Sequence, residues 1–302
     1  MNRYFVFFFI ILFVGVNVSG GFVKESKDIS SVNLDGTILY VGGIGVNNYT
    51  SIQDAVDDAS NGDIVFVYDD SSPYQEHVEI RKTITLIGED RNTTRIEGEG
   101  IYEPAIYYLG VYSGSINGFT ITSDLYGIWV DASNNIDISG NIITQTQEGV
   151  YLTGSDNIFI SYNLIDNTEW DGISIHFDCS NINISKNIIS NNYVGIHQYG
   201  KYQFWHPDKI FSNTQIINNE IIKNDRGVSV GTDGNLILNN NFIDNNEQAS
   251  FRATIHNDWD GNYWSDSQDN PYVIWGRIGI IFNFIPWVNF DYNPASEPYD
   301  IN

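Results

Sequence analysis

A phrase that returns about every 22 residues constrains this chain more than any other feature. Gly127-Ile128-Trp129-Val130, Gly149-Val150-Tyr151-Leu152, Gly172-Ile173-Ser174-Ile175, Gly195-Ile196-His197-Gln198 and Gly227-Val228-Ser229-Val230 start 22, 23, 23 and 32 residues apart. A second phrase follows at Asn135 to Ile143, Asn157 to Ile165 and Asn181 to Ile189, with later copies at Gln215 to Ile222 and Asn235 to Ile243. Alternating β-branched residues give period-2 strands, and the Asn, Ser, Asp and Gly clusters between them are turn chemistry. Each repeat therefore holds three short strands. A repeat of this length has no room for a crossover helix, so each strand pairs with its equivalent in the coils above and below. The pattern predicts an all-β chain, a single-stranded right-handed parallel β-helix, with Ile128, Val150, Ile173, Ile196 and Val228 stacked inside it. Burial of each contributes on the order of 1.5 to 3 kcal/mol.

Asn141, Asn163, Asn187 and Asn241 recur at one turn position and suit an inward amide ladder. Glu220 falls where a further rung is expected, so either that coil is irregular or the alignment slips there. Open ends of such a stack need covers. Ser51 and Asp54 read as a capping box opening a short helix, with Ile52, Ala55, Val56 and Ala59 on one face and an end near Gly62. At the other end, residues 258–302 lose the repeat and carry Trp259, Tyr263, Trp264, Trp275, Phe284, Pro286 and Trp287, expected to close the C-terminal opening. The expected organisation is a signal peptide over 1–20, a linker over 21–37, the β-helix over 38–257 and an aromatic cap over 258–302.

The leader assignment rests on Arg3, the apolar run from Tyr4 to about Val16, and small residues at Val18 and Gly20. An uncleaved anchor is the alternative, and either implies export to the secreted or cell-surface compartment. Without residues 1–20 the chain holds 13 basic and 38 acidic residues, a net charge of -25, and no methionine. This excludes nucleic acid as a partner. Ile278 to Val288, broken by Asn283 and Pro286, is too short to span a membrane, so no span is expected in the mature chain. With 42% hydrophobic and 14% aromatic residues, the chain is too apolar for an acidic disordered one. The single cysteine, Cys179, excludes an intramolecular disulfide.

Ser51-Ile52-Gln53-Asp54-Ala55-Val56, Gly62 to Val67, Tyr74 with Glu76, and Ile84 to Asp90 closely resemble the opening coils of the pectin-lyase-like superfamily. The repeated coils resemble its NosD-like branch of carbohydrate-binding and sugar-hydrolase (CASH) β-helix repeat proteins. Asp260-Gly261-Asn262-Tyr263-Trp264-Ser265-Asp266 resembles that branch's closing motif. The resemblance covers roughly residues 38–302 and implies the β-helix fold. That fold hosts lyases, hydrolases, epimerases, adhesins and structural shells, so it does not choose an activity. The NosD likeness also implies a role in copper maturation.

In the first strand of each coil, Ile128 and Val130 point in while Trp129 and Asp131 point out. The same register turns Tyr151, His176, His197 and Tyr199 outward into one column, with Asp178 just beyond His176. An insertion from Gly200 to Asn213, with Trp205 and His206, is expected to overhang it. Exposed aromatics stack on sugar faces while Asp and His groups bind hydroxyls. The expected glycan-binding set is thus Trp129, Asp131, Tyr151, His176, His197, Tyr199, Trp205 and His206, and the partner a polysaccharide or cell-surface glycan. The same ladder has a structural reading, since outward cross-strand pairs stabilise sheets in any case.

If the groove is catalytic, His176, Asp178 and His197 are the candidates, with Asp131 and Asp171 as further carboxylates for hydrolysis and Lys201 or Arg226 as cations for a lyase. Soft Cu(I) ligands are scarce, though His176, His197 and His206 suit Cu(II) or Zn. No motif fixes a metal or cofactor; calcium is the cation that the many Asp, Asn and carbonyl groups suit. The reading is an exported β-helix that binds extended glycans or serves as a surface module. A polysaccharide lyase, hydrolase or epimerase in the same groove, or a copper-maturation accessory protein, are the alternatives.

Overall fold

The computed structural model describes residues 36–100, 102–176, 178–200, 213–278 and 285–301. The leader, most of the linker, Lys201, Trp205, His206 and Phe284 lie outside them. The described chain is an all-β right-handed parallel solenoid of about 10 turns. Each coil runs through three strands, as in Tyr126–Asp131, Asn134–Ser139 and Ile142–Thr144, followed by Glu148–Thr153, Asp156–Ser161 and Leu164–Asp166. The first two strands of every coil join a 20-stranded sheet and the third a 9-stranded one. Ile128, Val150, Ile173, Ile196 and Val228 are in register on successive coils and fully buried. The 32-residue spacing does not shift that register, because His197 still faces Ser229 across the insertion.

The glycine that opens each phrase has a steric cause. A Cβ on Gly127, Gly149, Gly172 or Gly195 would lie 2.7, 2.5, 2.7 or 2.6 Å from the carbonyl oxygen of the corresponding glycine one coil on. Only hydrogen fits there.

The amide ladder forms, with a register correction. It runs Asn141, Asn163, Asn187, Asn219, Asn240, Asn262, each side-chain NH2 donating to the Oδ1 of the next at 3.0 to 3.2 Å. Asn219 and Asn240, and not Glu220 and Asn241, are the rungs. The slip arises where asparagines adjoin: the residue before each rung takes a left-handed turn, and Asn218 (φ 56°) and Asn239 (φ 56°) fill that place where Gly140, Tyr162 and Lys186 fill it elsewhere. The ladder ends on Asp291, fully buried, whose Oδ2 accepts from Asn262 Nδ2 at 3.1 Å, the Asn262 N–H at 2.9 Å and Trp264 Nε1 at 3.2 Å. A second amide line, Asn192, Asn224, Asn245, runs up another corner.

The helix spans Ile52–Asp58, with Ser51 at its N-cap and Ile52, Ala55 and Val56 buried. Its strongest cap comes from beyond the helix. Glu76 accepts from the Ile52 and Gln53 N–H groups and the Ser51 hydroxyl, each at 2.9 Å. The solenoid register continues past 257: Asp258–Asp260 and Tyr263–Trp264 pair with Leu236–Leu238 and Asn241–Ile243. Trp264 stacks between Phe242 and Tyr272, at 4.3 and 4.1 Å, and closes the core with Trp259. Trp275 and Trp287 do not share that work. They sit on the antiparallel hairpin Tyr272–Ile278 and Ile285–Asp291 and remain 64% and 48% exposed, because that hairpin presents them away from the core.

Candidate functional site

The outward surface of the first strands carries the expected residues in two columns and not one. Trp129, Tyr151, Ser174 and His197 share one register position. Asp131 and Thr153 begin the next, and His176 and Tyr199 continue it, their N–H groups reaching Leu152 O and Ile175 O at 2.9 Å. Long side chains then join the columns. Ring centroids run Tyr107 to Trp129 at 4.7 Å, Trp129 to Tyr151 at 5.6 Å, Tyr151 to His176 at 4.4 Å, His176 to Tyr199 at 4.2 Å and Tyr199 to His197 at 3.8 Å. Tyr126 stacks on the other side of Tyr151 at 4.4 Å. The result is a continuous belt across five coils, roughly 19 Å long at about 4.8 Å per coil.

Polar groups lock the belt. Asp131 accepts from the Thr153 hydroxyl at 2.7 Å and from Tyr107 OH at 3.3 Å, and Trp129 Nε1 donates to Thr153 Oγ1 at 2.9 Å. Because the rings pack on one another, each is only partly exposed, and the surface offers edges, hydroxyls and Asp131. Asp178 lies on an exposed turn with φ 64°. Arg226 pairs with Glu247. Trp205 and His206 fall outside the described residues.

Beneath the belt lies a pair that the sequence reading did not assemble. The residue preceding each phrase glycine forms a column of its own: Tyr126, Glu148, Asp171, Val194, Arg226. Glu148 and Asp171 thus occupy one position on adjacent coils, and both are buried. Burial, opposed by the Ser174 hydroxyl bond and reinforced by the Asp171 charge, pushes the Glu148 carboxyl up to about 7. Asp171 Oδ2 accepts from His197 Nδ1 and Tyr199 OH, both at 3.0 Å. His176 is pulled down to about 4, chiefly by burial, with Asp171 opposing and His197 assisting. The signal was present in the sequence at the position just before each glycine. It is faint there, because Tyr, Glu, Asp, Val and Arg share no chemistry.

Glu148 and Asp171 stand on neighbouring coils whose backbones are about 4.8 Å apart, and a retaining glycosidase uses two carboxyl groups about 5 to 5.5 Å apart. At 5% and 3% exposure, however, a sugar on this surface meets rings and hydroxyls before it meets either carboxyl.

A family model described as periplasmic copper-binding protein (NosD) matches residues 56–269. The chain belongs to the NosD family. No curated protein matches it. The chain is similar to several solved structures, the first of which shares its fold. ORF18 of Geobacillus virus E2 is 14% identical with a TM-score of 0.51, covering 76% of this chain and 57% of that one. Pectate lyase Pel9A is 13% identical with a TM-score of 0.49, over 76% and 80% of the two chains. An alginate lyase from Paenibacillus sp. is 14% identical with a TM-score of 0.45, over 73% and 94%. Among the described residues no helix is long and apolar enough to cross a membrane.

The NosD description names copper, and the described residues do not fit it. No group of three or more His, Cys, Asp or Glu among them is placed to hold a metal ion. The one thiol, Cys179, is buried and pushed up to about 11 by that burial, which disfavours the thiolate a soft metal needs. His197 Nδ1 is already bonded to Asp171.

Proposed function

We propose that this NosD-family chain is exported and binds extended glycans along the outward belt of its first strands. The continuous line of rings from Tyr107 through Trp129, Tyr151, His176 and Tyr199 to His197 carries the reading. Such a line follows the solenoid axis, so successive sugars meet an aromatic edge with a polar tip on every coil. The locked rings bind without ordering loose side chains, which lowers the entropic cost. Export is supported by the leader pattern over residues 1–20 and by the periplasmic description of the family. N-terminal sequencing of secreted protein tests it; a chain that stays in the cytoplasm with Met1 in place would remove that part.

For binding, a panel of oligosaccharides is titrated into the purified protein with and without calcium. Trp129→Ala and Tyr151→Ala are expected to weaken the best ligand by about tenfold or more each, with circular dichroism unchanged. Wild-type affinity in both variants would remove the belt as the site.

The second reading is a polysaccharide lyase, hydrolase or epimerase, and the Glu148–Asp171 pair favours it. Incubation of bound glycans and chromatography of the products decides: shortened, unsaturated or epimerised sugar that disappears in Glu148→Gln and Asp171→Asn would establish an enzyme.

A further inference from the structure

A second aromatic pair lies one residue before the column of Glu148, Asp171 and Val194, at the corner where each coil enters its first strand. Trp170 and Tyr193 are 48% and 55% exposed. They follow one another on adjacent coils: the Trp170 N–H bonds Gln147 O at 2.8 Å, the Val194 N–H bonds Trp170 O at 3.0 Å, and the Arg226 N–H bonds Tyr193 O at 2.9 Å. Unlike the belt rings, neither is stacked on another ring among the described residues, and each leaves about half of its surface to solvent.

Beside Trp170 opens a shallow cleft of about 320 Å3 lined wholly by polar residues, including Asp124, Gln145, Gln147, Asn167 and Glu169, with Tyr193 one coil further along. Thr146, 4% exposed, brings to its wall a buried hydroxyl with no hydrogen-bond partner among the described residues. On the other side of the pair stands Asp225, held by Asn246 Nδ2 at 2.8 Å. Solvent-exposed rings suit the apolar face of a pyranose, and the carboxamides and carboxylates suit its hydroxyls. The lining contains no lysine or arginine, and Asp124, Glu169 and Asp225 repel a uronate carboxylate.

We infer that this corner is a binding site for a neutral pyranose glycan, which lies over Trp170 and Tyr193 with its hydroxyls in the cleft. The inference rests on the glycan-binding reading above but places recognition at different residues and names the sugar class.

The test is isothermal titration of the full chain with cellohexaose, N-acetylated chitohexaose and hexagalacturonate. Wild type, Trp170→Ala, Tyr193→Ala, Glu169→Gln and Trp129→Ala are compared. At least one neutral hexamer is expected to bind, with about tenfold or greater loss in Trp170→Ala and Tyr193→Ala and a smaller one in Glu169→Gln. Both rings lie outside the core, so thermal unfolding should match wild type. Loss in the corner variants alone supports the corner and removes the belt; loss in Trp129→Ala alone does the reverse; loss in both sets places one glycan across both. Binding of hexagalacturonate alone overturns the neutral-sugar assignment, and no binding by any hexamer overturns both sites.

Discussion

Asp291 does for the amide ladder what no asparagine can. Every rung must donate to the next, so the last rung needs an acceptor that asks for nothing in return, and a carboxylate is acceptor-only. Asp291→Ala leaves Asn262 Nδ2, Trp264 Nε1 and the Gly261 and Asn262 N–H groups without their carboxylate. At roughly 1 to 3 kcal/mol per stranded buried donor, the loss should be at least about 3 kcal/mol in urea denaturation. The pair under the belt makes a pH prediction. Glu148, with its folded pKa raised to about 7, stabilises the fold relative to the unfolded chain at low pH and loses that contribution as pH rises from about 4.5 to 7. His176, lowered to about 4, acts in the opposite sense: stability is lost as pH falls from about 6.5 to 4. The two offset each other between about 4.5 and 6.5. Urea midpoints of Glu148→Gln should therefore rise with pH across that window, and those of His176→Gln should fall; parallel profiles would refute the assignment. The belt residues were legible because strand alternation alone turns them outward. The carboxyl pair was not, since the position before each glycine holds Tyr, Glu, Asp, Val and Arg in turn, and only the assembled stack shows that the two acids there are buried.

Glycines that look alike in the sequence do two different jobs in these coils. Gly149 is small because the next coil's backbone runs 2.5 Å from where its Cβ would be, and Ile165 Cγ2 lies 2.8 Å away. Gly140 has nothing within 4 Å and serves only the left-handed turn at φ 67°, which Tyr162 and Lys186 manage in the following coils. Gly149→Ala should accordingly cost about 2 to 3 kcal/mol by overpacking. Gly140→Asn should change stability by less than about 1 kcal/mol, asparagine being at home in that conformation. Matched urea titrations of the two variants check the contrast. Strand identity was readable from the repeat because period-2 alternation is local. The amide register was not, because Asn218-Asn219 and Asn239-Asn240-Asn241 offer the same side chain at successive positions, and only the turn conformation selects between them. The terminal hairpin escaped for a related reason: tryptophans in a cap and on an exposed ribbon look the same until their partners are known.

On the scale of the molecule, 38 acidic residues oppose 14 basic ones, and the exposed Lys and Arg ion pairs among the described residues are few, as at Arg95–Glu97 and Arg226–Glu247. Self-repulsion then outweighs pairwise attraction, and salt should stabilise the fold by screening it. The unfolding temperature is expected to rise by several degrees between 20 mM and 500 mM sodium chloride, whereas a fold held by its ion pairs would lose stability. The overall architecture was the most legible level of all, since a 22-residue period leaves little but a parallel solenoid, while the binding surface depends on which rings cover which, a property of the assembled stack. The ladder also gives the stack a direction. From rung to rung the amide hydrogens pass one way only, toward Asp291, while each NH2 also donates back to a carbonyl of the preceding coil, so every coil reads its neighbour by the same rule and can be duplicated without rewriting it. The length of the protein is then punctuated by a single charge: where an amide stands the sentence continues, and where a carboxylate stands it stops.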